Sequence, residues 1–76
     1  MKTKTWNIGE SSYYGTWNIK ISKSNITVTG LMYKTKDIKQ INVFDITDLD
    51  SLQDLLYDVS TVYHGDKMME WVRANI

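Results

Sequence analysis

Cysteine is absent from the 76-residue chain, which removes disulfides and thiolate zinc sites from consideration. His64 is the lone histidine, so an imidazole-rich metal centre within one chain is not expected. No apolar run approaches the roughly 18 residues that a membrane-spanning helix needs. The N-terminal MKTKTWNIGE starts basic but lacks the apolar stretch of a signal peptide, so the expected compartment is the cytoplasm. Proline is missing, and alanine and arginine occur once each, against eight lysines. With its many isoleucines and asparagines, this bias hints at an AT-rich bacterial or phage coding sequence.

What remains is an ordinary globular composition, 42% hydrophobic and 24% charged, too apolar for a disordered chain. The length allows one domain over residues 1–76. A core of that size typically yields only about 3–5 kcal/mol net. Good packing or self-association must therefore supply what a disulfide or metal would, and a homo-oligomer is one expected outcome. The net charge of zero is unevenly spread. Residues 1–42 hold seven lysines against Glu10 and Asp37, whereas residues 43–76 hold Lys67 and Arg73 against seven acids. Such a split points to a charged partner on one side, or to attraction between the halves.

Alternation governs the first half. In TWNIKIS at 16–22, Trp17, Ile19 and Ile21 fall on one face of a strand and Thr16, Asn18, Lys20 and Ser22 on the other. KSN at 23–25 is turn chemistry, and ITVTG returns with Ile26 and Val28 on the apolar face. Setting Ile21 opposite Ile26 brings Ile19 to Val28 and Trp17 to Gly30, where the indole covers the glycine's bare backbone. LMYK extends this third strand and TKDIK at 35–39 turns. QINVFDI then supplies a fourth strand with Ile41 and Val43 inward. With Val43 opposite Met32, Leu31 stands beside Phe44 and Tyr33 beside Asn42 on the outer face. TWNI also occurs at 5–8. Eleven residues is too short a period for a stacked repeat, so the two copies read as neighbouring strands, each with one inward Trp and one inward Ile.

From Thr47 the period becomes helical. Thr47 or Asp48 can cap a helix, and the acids nearby suit its positive end. Leu49, Leu52, Leu56, Val59 and Tyr63 follow three-four spacing, with Leu55 and Val62 widening the stripe and Asp54 and Asp58 on the wet side. His64-Gly65 reads as the stop. Asp66 then caps a short second helix, with Met68, Met69, Val72 and Ile76 inward and Trp71 at its edge. The expected class is α+β: a four-stranded antiparallel β-meander over residues 1–46, then two C-terminal helices within 47–76 packed on one face, ββββαα. The other face of the sheet is left needing cover.

Candidate chemistry is sparse. Asp45, Asp48 and Asp50 form a D-x-x-D-x-D run, but the central glycine and distal glutamate of a calcium loop are missing, and helix capping accounts for these acids. His64 could serve as a general base, but the sequence offers it only generic serines and aspartates as nucleophile or orienting partner. No catalytic residue, metal ligand or cofactor site is expected.

The signals that remain are surfaces. Tyr13 and Tyr14 sit together in the loop GESSYYG, where both cannot point inward, and tyrosine is a favoured interface anchor. Joined with Leu31, Tyr33 and Phe44 on the outer sheet face, they suggest a patch for a protein partner. The acidic helix face of Asp50, Asp54 and Asp58 offers a second docking surface. The expected function is non-enzymatic docking on another macromolecule, in the manner of a small phage or mobile-element inhibitor or regulator of a host protein. The alternative is nucleic-acid binding by Lys4, Lys20, Lys34, Lys36 and Tyr33, since aromatics interleaved with lysines can hold single strands. Arginine is absent from the first 72 residues, which weakens that alternative.

Overall fold

The computed structural model describes residues 2–9 and 15–76. Four strands, β1 Lys2–Asn7, β2 Thr16–Ile21, β3 Asn25–Leu31 and β4 Ile38–Asp45, precede two helices, α1 Leu49–Val59 and α2 Val62–Asn75. The strands form one antiparallel sheet in the order β1-β2-β3-β4. This is the α+β, ββββαα arrangement that the alternation and the later helical period predict.

The two TWNI copies lie on adjacent strands, with Trp6 directly opposite Trp17. Between β2 and β3 the register is the expected one: Ile21 faces Ile26, Ile19 faces Val28 and Trp17 faces Gly30. A tight turn sets it, with the Ser22 N–H donating to the Asn25 carbonyl at 2.9 Å. Gly30 is required by its neighbour, because a Cβ there would stand 2.7 Å from the Trp17 ring. Trp17, Ile19, Ile21, Ile26 and Val28 are all buried, and the helices close over them with Leu52, Leu56, Met68, Met69 and Val72.

β4 departs from the expected pairing. β3 ends at Leu31, residues 32–37 form the connection, and Lys36 takes a left-handed φ of 63°. The strand then returns with Ile26 opposite Phe44, Thr27 opposite Val43 and Thr29 opposite Ile41. Relative to pairing Val43 with Met32, this is a shift by an odd number of residues, which turns every side chain to the other face. Phe44 therefore packs against the core instead of standing on the outer face. Ile41 and Val43 point outward, 57% and 60% exposed, instead of inward. A bulge near Gly30/Leu31 sets Leu31 opposite Ile38, which brings Ile38 to the same outer face as Ile41, 61% exposed.

The helix boundary also differs. Asp48 caps α1 by accepting from the Ser51 N–H at 3.3 Å, as its position predicts. α1, however, ends at Val59, and α2 starts at Val62 with Thr61 as cap, its Oγ1 accepting from the His64 N–H at 3.2 Å. Gly65 is therefore not a stop but lies in the first turn of α2. A Cβ there would overlap the Tyr57 ring, so the glycine allows close approach of the two helices, and the Tyr57 hydroxyl donates to Asp66. Starting α2 earlier turns Tyr63 and Ile76 to the surface. α1 packs beside β4, while α2 lies along β1, where the Lys2 Nζ donates to the Asn75 carbonyl at 3.3 Å.

Candidate binding cleft between β1 and α2

Alternation along β1 puts Lys4 and Trp6 on the helix-covered side of the sheet, partnering Ile19 and Trp17. On α2, Tyr63, Lys67 and Trp71 recur at four-residue intervals and so share one side of the helix. Where these two rows meet they line an open cleft of about 520 Å³ with His64, Glu70 and Ala74. Trp6 and Trp71 meet edge to face, ring centroids 5.5 Å apart at 82°. This geometry is favoured by the ring quadrupoles. Lys4 Nζ stands 5.4 Å from the Trp6 ring and Lys67 Nζ 5.7 Å from the Tyr63 ring, so each cation is held against an aromatic face. The result is an apolar, aromatic floor with two positive charges at its rim and one carboxylate, Glu70, beside them.

The outer face of the sheet has a different character. Thr3, Thr5, Asn18 and Lys20 occupy its β1–β2 half, with the Asn18 side-chain amide donating to Thr5 Oγ1 at 2.9 Å and Thr3 Oγ1 at 3.2 Å. Ile38, Ile41 and Val43 occupy its β4 edge. Between them, Lys36 folds back over the sheet. Its Nζ donates to Thr16 Oγ1 at 2.9 Å and Asn7 Oδ1 at 3.2 Å, 5.1 Å from the Tyr33 ring centroid.

The anticipated sites are only partly assembled. Tyr13 and Tyr14 lie outside the described residues. Leu31 stands on the outer face and Tyr33 in the connection that follows, both half-buried, but Phe44 is on the opposite side. Asp50, Asp54 and Asp58 do form one exposed stripe on α1. The basic set divides: Lys4 lies on the helix side, Lys20 on the outer face, Lys34 is exposed in the connection and Lys36 is engaged with Asn7, Thr16 and Tyr33. The cleft residues Tyr63, Lys67 and Trp71, and the edge residues Ile38, Ile41 and Val43, are absent from those sets. The signal for the first group is the i, i+4, i+8 spacing, legible only once the helix starts at Val62.

Among the described residues, the Asp45 and Tyr57 groups depart from their usual range. The Asp45 carboxylate is held low because the Thr47 backbone N–H and hydroxyl both donate to its Oδ1, at 3.0 and 2.7 Å. The Tyr57 hydroxyl is pushed up, first by its hydrogen bond to Asp66 and further by desolvation and the negative charge of that carboxylate. Among the described residues no group of three or more His, Asp or Glu side chains is placed to hold a metal ion, and no helix is long and apolar enough to cross a membrane. Compared with family models, with curated proteins and with solved structures, the chain matches none.

Proposed function

We propose that this is a non-enzymatic binding protein that docks on another protein through the β1–α2 cleft and acts by occupying its partner's surface, as an inhibitor or regulator does. The observation that carries this reading is the pairing of an aromatic floor, Trp6 and Trp71, with two rim lysines, Lys4 and Lys67. Aromatic anchors in a concave site dominate protein interfaces, and lysines at the rim steer a partner of opposite charge. The occupant that fits is an acidic segment carrying an aromatic or large aliphatic side chain: the apolar group packs onto the floor formed by Trp6 and Trp71 while its carboxylates meet Lys4 and Lys67.

The expected outcome in a capture experiment from a bacterial lysate is a specific retained protein. It is lost from the Lys4→Glu/Lys67→Glu chain and kept by the Asp50→Asn/Asp54→Asn chain. Retention by the first variant and loss from the second would transfer the function to the acidic stripe.

A second reading rests on the same aromatic and lysine set, because base stacking on tryptophan beside lysine also holds single-stranded nucleic acid. The division of the remaining lysines between both faces of the sheet favours the protein partner, because a phosphate backbone needs a continuous basic track. Oligothymidylate binding whose logarithm falls by about 0.7 per phosphate contact for each unit of log salt would favour the nucleic acid.

A further inference from the structure

The open edge of β4 carries a pattern that matches itself. The Ile46 N–H donates to the Ser24 carbonyl at 3.0 Å, and Asn25 partners Asp45. In an antiparallel ladder the residues bonded to a given neighbour alternate. Residues 42, 44 and 46 therefore direct their backbone groups toward β3, and Ile41, Val43 and Asp45 direct theirs to the open edge. A further antiparallel strand added there must set odd-numbered residues of β4 opposite its own outward-facing positions.

We infer that this edge pairs with a second copy of the same chain, β4 against β4, about a two-fold axis at Asn42, joining two four-stranded sheets into one. In this register Ile41 faces Val43 of the second copy, and Lys39, the extra residue of the bulge between Ile38 and Gln40, comes alongside its Asp45; the symmetry makes each pair twice. The apolar pairs bring together side chains that are 57% and 60% exposed in the single chain. The flanking pairs match opposite charges, which stabilises cross-strand neighbours. Sliding the second copy by two residues in either direction sets Lys39 against Val43 or Ile41 against Asp45 and loses the charge pairs. The other edge of the sheet, β1, carries Lys2 and Lys4, a charge pattern that discourages such pairing. Asp50, Asp54 and Asp58 lie on the side of α1 opposite the buried Leu52 and Leu56, away from the sheet, so their like charges do not face across the pair.

The absence of cysteine makes the test direct. At the two-fold, Asn42 faces its own copy as a non-hydrogen-bonded pair with Cα atoms about 4.5 Å apart, within the range a disulfide bridges. The Asn42→Cys chain is expected to form a disulfide-linked dimer on mild oxidation, while Thr5→Cys, exposed on β1, stays monomeric at the same concentration. By sedimentation the unmodified chain is expected at twice 8.9 kDa at micromolar concentration. Lys39→Asp and Asp45→Lys should each sediment as monomers, and an equimolar mixture of the two should recover the dimer, because each chain then meets opposite charges. A wild-type monomer up to millimolar concentration would overturn the inference, as would Asn42→Cys cross-linking no better than Thr5→Cys. The β4 edge and the β1–α2 cleft lie at opposite edges of the sheet, so failure here leaves the docking reading intact.

Discussion

Tyr57 shows how much one side chain carries in a domain this small. Its ring fills the space that Gly65 leaves open, and its hydroxyl donates to Asp66 one helix away. The bond raises the hydroxyl's pKa above its ordinary value of 10.0. A group whose pKa is raised on folding binds its proton more tightly in the folded state, so its contribution is fully present below that ordinary value and is lost as pH rises through the folded one. Thermal melts of the wild-type chain and of Tyr57→Phe should therefore differ by a constant amount from neutral pH up to about 10 and converge above it. Coincident melts at neutral pH, or a gap that persists unchanged well above pH 10, would contradict a stabilising hydroxyl–Asp66 bond. Gly30 is the complementary case, a position where the absence of a side chain is what Trp17 needs. The sequence pattern made Gly30 legible because its strand partner is a large aromatic. Gly65 was not legible in the same way, since its partner, Tyr57, lies on another helix and no local pattern connects them.

At the scale of elements, legibility followed the length of the connection. β2 and β3 are joined by a tight turn, which leaves little freedom in register, and the apolar alternation agrees with it. β3 and β4 are joined through residues 32–37 and a bulge, so alternation alone cannot say which parity of β4 turns inward. Ile41 and Val43 have the β-branched character of core residues, and Phe44 is the larger apolar side chain that actually reaches the core. The helix boundary was obscured for a related reason. An apolar stripe that runs through Val59 and Tyr63 suggests one helix, and the glycine at 65 looks like its end. Thr61 nevertheless provides the cap. Thr61→Ala is expected to cost about 1 kcal/mol, lowering the melting temperature by roughly 4–8 °C in a domain of this size, with Thr61→Ser restoring it. A neutral Thr61→Ala would contradict a start of α2 at Val62. The cleft followed the same boundary, because Tyr63, Lys67 and Trp71 fall on one side only when they share a helix.

Across the whole molecule the two sheet edges are treated differently. At the β1 edge, α2 lies alongside and the space between them is walled by aromatics with lysines at the rim. At the β4 edge, the backbone is open and bordered by Ile41 and Val43. The charge asymmetry between the two halves of the sequence takes a spatial form: Lys4 from the basic half and Lys67 from the acidic half converge on one cleft, while Asp50, Asp54 and Asp58 occupy the outside of α1. The division into a basic and an acidic half along the chain therefore does not become a division of the surface into a basic and an acidic face. The measurement that addresses the docking claim most directly is a ¹H–¹⁵N correlation titration with a glutamate/tyrosine copolymer at low salt, since the three indole N–H signals report separately. Trp6 and Trp71, together with the backbone amides of Lys4, Tyr63 and Lys67, are expected to shift while the buried Trp17 indole stays in place. Shifts confined to the α1 acidic stripe or to the outer sheet face, or none at all, would contradict the assignment of the cleft as the binding site.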